Sequence, residues 1–135
     1  MTTRQKGEMA CRLFDARAIE KGMVSSEPVV DARYDRILDD GNRLIRVQIK
    51  WAGREGHNAA GAVQARLAVR YNGKVTKRAY TKDEVDALVV YIPAKDCFCW
   101  FEPNHFVGKS ILSIRIKKSK NNQSNGVTWF EDFLW

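Results

Sequence analysis

An aspartate at 35, a glutamine at 48 and a lysine at 50 stand in the stretch "YDRILDDGNRLIRVQIKWA". Otherwise it reads as a β-hairpin turning at Asp40-Gly41. Side chains alternate faces along a strand, so the length of the turn fixes which residues share a side. A two-residue turn pairs Asp39 with Asn42 and sets Asp35 opposite Arg46. Asp35, Ile37, Leu44, Arg46, Gln48 and Lys50 then face one way, and Tyr34, Leu38, Ile45, Val47 and Ile49 face the other. A four-residue loop from Asp39 to Asn42 keeps this division, whereas a three-residue loop reverses it. Asp35 and Gln48 become diagonal neighbours about 7–8 Å apart, with Lys50 one step further along. Two such oxygens can hold a divalent cation, and an ammonium beside them can stabilise developing negative charge or position a water. An amphipathic hairpin with one solvated face shows the same alternation, so the pattern by itself leaves both readings open.

The elements that must position these groups can be followed along the chain. Met9, Leu13, Ala16 and Ile19 recur at three- and four-residue spacing and predict a first helix, stopped by Gly22, with Glu8 one turn in. "MVSSEPVV" reads as an extended passage broken at Pro28, and "WAGREGHNAAG" as a glycine-rich loop. "VQARLAVRYNGKVTKRAY" predicts a second hairpin turning at Asn72-Gly73, basic over residues 66–79. Thr81 and Glu84 form a capping box for one short helical turn. "DALVVYI", "CFCWF" and "ILSIRI" read as three further strands. "KKSKNNQSNGVTWFEDFLW" reads as a basic polar loop, residues 115–126 with the strand end before it, closed by an aromatic segment. With no repeat and no dividing linker, residues 1–135 are expected to form one α+β domain, a mixed and mostly antiparallel sheet with the N-terminal helix packed on it.

Composition limits the function. A chain of 135 residues with 44% hydrophobic and 29% charged residues is a globular domain rather than a disordered tail. Its 23 Lys+Arg against 16 Asp+Glu give +7, which favours a polyanionic partner, nucleic acid first and an acidic membrane surface second. Cys11, Cys97 and Cys99 make no regular disulfide framework and point to a reducing compartment. With His57 and His105 they match no common zinc spacing and read as core thiols. The charged N-terminus has no apolar stretch of a signal peptide, and "ALVVYI" is too short to span a bilayer. The expected location is therefore cytoplasmic, on a bacterial nucleoid or inside an organelle, with no membrane partner.

Asp35, the run Gln48-Ile49-Lys50 and an upstream glutamate on a helix together resemble the PD-(D/E)XK nuclease superfamily. The order "GE", "YD", "VQIK" and "DALVVYIP" resembles in particular its small branch of group I intron homing endonucleases, over most of the chain. The resemblance implies a restriction-endonuclease-like core and hydrolysis of DNA phosphodiesters at Asp35, Gln48, Lys50 and Glu8. It makes Asp35 the principal metal ligand, joined by Gln48, the Ile49 backbone carbonyl and Glu8, and makes Lys50 the catalytic lysine. Magnesium suits an all-oxygen set, with manganese able to substitute, and no organic cofactor is implied. Tyr34 stands where the superfamily name has proline, and Gln48 replaces the second acid. That neutral ligand removes a negative charge from the metal site, and the homing branch shares it. Cutting both strands with one site per chain implies a homodimer or a dimer of dimers.

Two basic tracts are candidates for holding duplex DNA. Arg70, Lys74, Lys77 and Arg78 flank the second hairpin turn, and a two-stranded ribbon fits the major groove. Lys117, Lys118 and Lys120, beside Arg115, precede the amides Asn121, Asn122 and Gln123. Arg54 follows Lys50 closely, with His57 read as a surface loop residue. Trp100, Trp129 and Trp135 read as core or subunit packing rather than base stacking. The leading expectation is a site-specific, metal-dependent endonuclease of the homing type. A nuclease selective for junctions or damaged DNA, and a DNA-binding module with a degenerate site, are the alternatives.

Overall fold

The computed structural model describes residues 1–53, 61–118 and 126–135, with Arg70 and Tyr71 described by their backbone alone. Nine strands are described: β1 (Val24–Ser26), β2 (Arg36–Asp39), β3 (Leu44–Trp51), β4 (Ala62–Arg66), β5 (Val69–Tyr71), β6 (Lys74–Lys77), β7 (Ala87–Ile92), β8 (Cys97–Phe101) and β9 (Ile111–Arg115). Two α-helices accompany them, α1 (Thr3–Glu20) and the single turn α2 (Pro103–Phe106). One sheet has the order β1-β2-β3-β7-β8, while β4 pairs with β9 and β5 with β6 in separate ribbons. Among the described strands only β3 and β7 pair in parallel, and the other strand pairings are antiparallel. This is the mixed, mostly antiparallel α+β arrangement the strand pattern predicts.

The sheet is buried on two sides, which explains the unbroken apolar run of β7. All six of its residues are buried. Ala87, Val89 and Tyr91 face α1 together with Leu38, Ile45, Val47 and Ile49. Leu88, Val90 and Ile92 pack on the opposite side against Val63, Ala65, Leu112 and Ile114 of the β4–β9 ribbon. A central strand covered on both faces cannot alternate apolar with polar, so it reads as a continuous hydrophobic stretch.

Helix α1 starts at a capping box, in which the Thr2 hydroxyl accepts from the Gln5 N–H at 3.2 Å and Gln5 Oε1 accepts from the Thr2 N–H at 2.8 Å. It stops at Gly22, whose φ of +73° suits glycine. Its buried stripe is Ala10, Cys11, Phe14 and Ala18 rather than the Met9–Leu13–Ala16–Ile19 row. Met9 and Ile19 are exposed, Ala16 likewise, and Leu13 is half-buried. The two rows lie a fraction of a turn apart, and the winning one carries Phe14, which stacks on Trp135 at 4.8 Å. Small Ala10 and Ala18 let the helix sit close to the sheet. Truncating fully buried Phe14 to alanine would cost about 3–5 kcal/mol. Trp100 also packs on Trp135, as the core reading of the tryptophans expects.

Two details of strand pairing differ from the sequence expectation. The first hairpin closes through four residues, Asp40 to Arg43, so Asp39 pairs with Leu44 and Arg46 lies opposite Ile37, not Asp35. Asp39 and Asp40 side chains accept from the loop N–H groups of Gly41, Asn42 and Arg43, which stabilises the longer loop. The register has moved by two residues, so the division of faces survives. The second hairpin is shorter than its basic span, with Asn72 and Gly73 at φ of +49° and +76° joining only β5 to β6. The segment before it, β4, pairs instead with β9. Residues 82–84 form a turn rather than a helix, with Thr81 bonded to Glu84.

The cysteines are free, Cys11 and Cys99 buried and Cys97 half-buried, as expected of core thiols. Cys99 Sγ donates to the Phe130 carbonyl at 3.3 Å. No helix among the described residues is long and apolar enough to cross a membrane.

Candidate active site

Asp35 sits one residue before β2, where the chain enters the sheet. Its N–H donates to the Val47 carbonyl at 2.9 Å. β3 runs on past this point, so the edge of β3 at Ile49 has no further strand to pair with. The Asp35 side chain fills the gap: its Oδ2 accepts from the Ile49 N–H at 2.9 Å, taking the place of a strand carbonyl. A strand residue's N–H and C=O point to the same edge, so the Ile49 carbonyl also faces this opening. From below, Arg36 Nη1 donates to the Asp35 carbonyl at 2.8 Å. Arg36 is 4% exposed and forms a bidentate pair with Asp15 of α1, at 2.8 and 3.0 Å. Asp35 is thus fixed from the helix side and the strand side together. Burial pushes its carboxyl pKa up, against the lowering pull of the Ile49 N–H and of Lys50 and Lys77.

Gln48 and Lys50 project from β3 on the face away from α1. Gln48 is 6% exposed, and its side chain makes no hydrogen bond among the described residues. Lys50 is half-buried, 5.5 Å above the Tyr80 ring. Burial first, then the charge of Lys77, pushes its ammonium down to about 8, with Asp35 pulling the other way. The third polar residue on this strand face, Arg46, has a different setting. It forms a bidentate pair with Asp86 at 3.0 Å on both arms, and Asp86 Oδ2 also accepts the Arg46 N–H at 2.8 Å. Arg46 beside Asp86 holds that carboxyl below the usual range.

Asp35, Gln48, Ile49 and Lys50 line one open cleft of about 1400 Å³ with Glu8 from α1. All the residues expected to do chemistry therefore meet in one place. Glu8 shares its carboxylate with Arg12 at 2.8 Å on the exposed flank of the helix. Among the described residues no group of three or more His, Cys, Asp or Glu side chains is suited to a metal ion. A cation here would rest on Asp35, Gln48 and the Ile49 carbonyl, an all-oxygen and weakly charged set, which fits a hard ion that keeps water and substrate oxygens in its shell.

The expected DNA contacts divide. Lys77 lines the cleft, whereas Lys74, Arg78, Lys117 and Lys118 are exposed outside it. Arg78 is bound to Glu84 at 2.6 and 2.7 Å. Arg54 and Lys120 lie outside the described residues, with His57, Asn121, Asn122 and Gln123, and so does the side chain of Arg70. The structure adds Arg4 and Lys6 from the first turns of α1 and Gln64 and Arg66 from β4 to the cleft wall. Arg66 opens the basic span 66–79, whereas Arg4 and Lys6 show in the sequence only as part of the net positive charge and Gln64 not at all, because no local spacing connects residues 4, 50 and 66. On β4, Val63 and Ala65 turn into the core, so Gln64 and Arg66 turn out toward the cleft, opposite Ser113 and Ile111.

A family model for the PD-(D/E)XK endonucleases matches residues 1–135. The chain belongs to this family. It is a DNA endonuclease built on a restriction-endonuclease-like core, as the resemblance implied. Among solved structures, that of a bacterial homing endonuclease, I-Ssp6803I, is similar, with a TM-score of 0.77 and 20% identity. The match covers 99% of this chain and 89% of that one. No curated protein matches the sequence. Within the endonuclease, Asp35, Gln48 and Lys50 line one cleft.

Proposed function

We propose that this endonuclease is site-specific and of the homing type, cutting both strands of duplex DNA with a divalent cation as cofactor. The observation that carries this reading is the convergence of Asp35, Gln48 and Lys50 in one basic cleft. Asp35, with one oxygen engaged by Ile49, offers the other to a cation, and Gln48 and the Ile49 carbonyl offer two neutral oxygens. Magnesium is the natural occupant, and manganese would substitute. When bound, it supplies positive charge to the phosphate and lowers the pKa of water. Lys50 positions the attacking water and offsets charge on the phosphoryl oxygens. The water oxygen forms a new bond to phosphorus while the bond to the 3′ oxygen breaks. The water proton leaves to solvent, and the departing oxygen takes one up. Glu8 serves as an accessory acid at the rim.

Sequence reading is supported by Gln64 and Arg66, whose side chains have no hydrogen bond or ion pair among the described residues and which line the same cleft as the reacting groups. Arginine pairs with guanine edges and glutamine with adenine edges. Lys74, Arg78, Lys117, Lys118 and, beyond the described residues, Arg54, Arg70 and Lys120 would hold the flanking backbone. One such site per chain requires a homodimer or a dimer of dimers to sever both strands.

The test is cleavage of a randomised duplex library and of a supercoiled plasmid, with magnesium and with EDTA, by the unmodified chain and by Lys50→Met. Expected are discrete magnesium-dependent products from a narrow subset of sequences, and a loss of about 10²–10³-fold in rate for the variant. Cutting that follows four-way junctions regardless of sequence would replace the homing reading with a structure-selective one. DNA bound but never cut would make the chain a binding module.

A further inference from the structure

Three cations gather around the ring of Tyr80, Arg33 at 4.2 Å, Lys50 at 5.5 Å and Lys77 at 5.8 Å. Two of them have an acidic neighbour. Arg33 Nε lies 3.2 Å from Glu84, and Lys50 stands beside Asp35. Lys77 has no ion pair with an acidic side chain among the described residues, and it lines the cleft of the catalytic groups. The remaining acids nearby are already committed: Glu84 to Arg33 and Arg78, and Asp35 to Ile49 through one oxygen. Holding ammonium groups near one another costs about 1–4 kcal/mol per close pair between the water-like and surface-like limits of screening. The cluster is short of one anion.

The origin of Lys77 is also distinctive. Lys50 belongs to the five-stranded sheet, whereas Lys77 ends β6 of the separate hairpin. The hairpin's exit is held by Arg33, two residues before Asp35, whose Nη2 donates to the carbonyls of Arg78 at 2.8 Å and Ala79 at 3.2 Å. Arg33 sits 4.2 Å over the ring of Tyr80, which is 1% exposed, so this junction is a packed one rather than a loose flap. Composition alone would assign Lys77 to a groove-binding hairpin tip with Lys74. Its position in the cleft gives it a different task.

We infer that Lys77 is a second substrate-contacting cation of the active site, bonded to a non-bridging oxygen of the phosphodiester that is cut. This rests on the nuclease reading of the cleft and adds a residue to it. DNA supplies the missing anion, and the hairpin completes the site only when its exit is seated on Arg33.

The experiment uses the full chain at saturating concentration over a plasmid that the unmodified protein cuts, with single-turnover rate and DNA affinity measured separately. Lys77→Met should slow the saturating rate about 10- to 100-fold while affinity and its salt dependence change by less than about twofold. Lys77→Arg, which keeps the charge, should recover most of that rate. Lys82→Met, at an exposed turn outside the cleft, should leave the saturating rate unchanged. Lys77→Gln serves as a second neutral variant should the methionine disturb folding, judged by the thermal melt. If the neutral variants cut at the normal saturating rate and only bind more weakly, Lys77 is a backbone contact and the inference fails. If Lys50→Met abolishes cutting while the Lys77 variants do not slow it, the nuclease reading stands and this inference alone falls. An unmodified chain that binds DNA without cutting it removes both.

Discussion

Arg46 and Lys50 project from the same face of β3, two alternations apart, into opposite electrostatic settings. Arg46 meets Asp86 arm to arm and gives a third bond to the Asp83 carbonyl at 2.6 Å. Its charge is neutralised and its donors are used, so it ties β3 to the loop before β7. Lys50 is half-buried beside one carboxylate and a second lysine, with its ammonium pushed down to about 8. Gln48, between them, is buried, and its side chain has no hydrogen bond among the described residues. One end of the strand is built for stability and the other holds groups that their surroundings disfavour. Such disfavoured groups mark the functional end more clearly than exposure or charge does.

Three substitutions sharpen or break this contrast. Asp86→Ala removes both arms of the satisfied pair and leaves Arg46 without its carboxylate. A destabilisation of about 1–3 kcal/mol is expected, with single-turnover cleavage unchanged well below the melting temperature. A normal melt would show that the pair is ornamental, and lost cleavage in a folded variant would show that both ends serve the chemistry. Lys50→Met should act in the opposite direction, raising the melting temperature at pH 7 by a few degrees in EDTA. The folded pKa near 8 lies below the ordinary 10.5, so below pH 8 the folded chain carries a charge that the unfolded chain hydrates better. That cost fades as pH rises from about 8 to 10.5, so the advantage of the variant should shrink over the same window. A lysine that stabilises the fold at pH 7 would undo the contrast. The smallest effect belongs to Arg78→Ala. Its short bonds to Glu84 lie at an exposed site, with 61% of the Arg78 side chain accessible, so the urea midpoint should barely move.

Much of this was legible in the sequence, for physical reasons that can be named. The face shared by Asp35, Gln48 and Lys50 follows from alternation alone, and it survived a loop two residues longer than the expected turn, because an even shift preserves sidedness. The strands β7, β8 and β9 are short apolar runs between clear breakers. What could not be read depends on contacts between distant segments. Nothing local in Ala62–Arg66 marks Ile111–Arg115 as its partner, so the sequence pattern joins β4 to the adjacent hairpin and does not single out Gln64 and Arg66 as cleft residues. In α1 two apolar rows were available, and only the sheet beneath decides that Phe14 rather than Met9 turns inward. The partners of Arg36 and Arg46, Asp15 and Asp86, are 21 and 40 residues away, which no spacing rule connects.

The parallel pairing of β3 with β7 has a further consequence. Parallel neighbours cannot be joined by a tight turn, so the chain must make a long excursion between residues 51 and 87 before the second strand can be laid beside the first. In this molecule the excursion contains Gln64, Arg66 and the whole β5–β6 hairpin. On the proposed site-specific reading, a length that topology demands is thereby available for recognition, and Asp35, Gln48 and Lys50 all lie outside it. On that same reading, replacing segments of the excursion, with Lys77 and its Arg33 anchor retained, is the natural route to a new target with the cutting chemistry left in place.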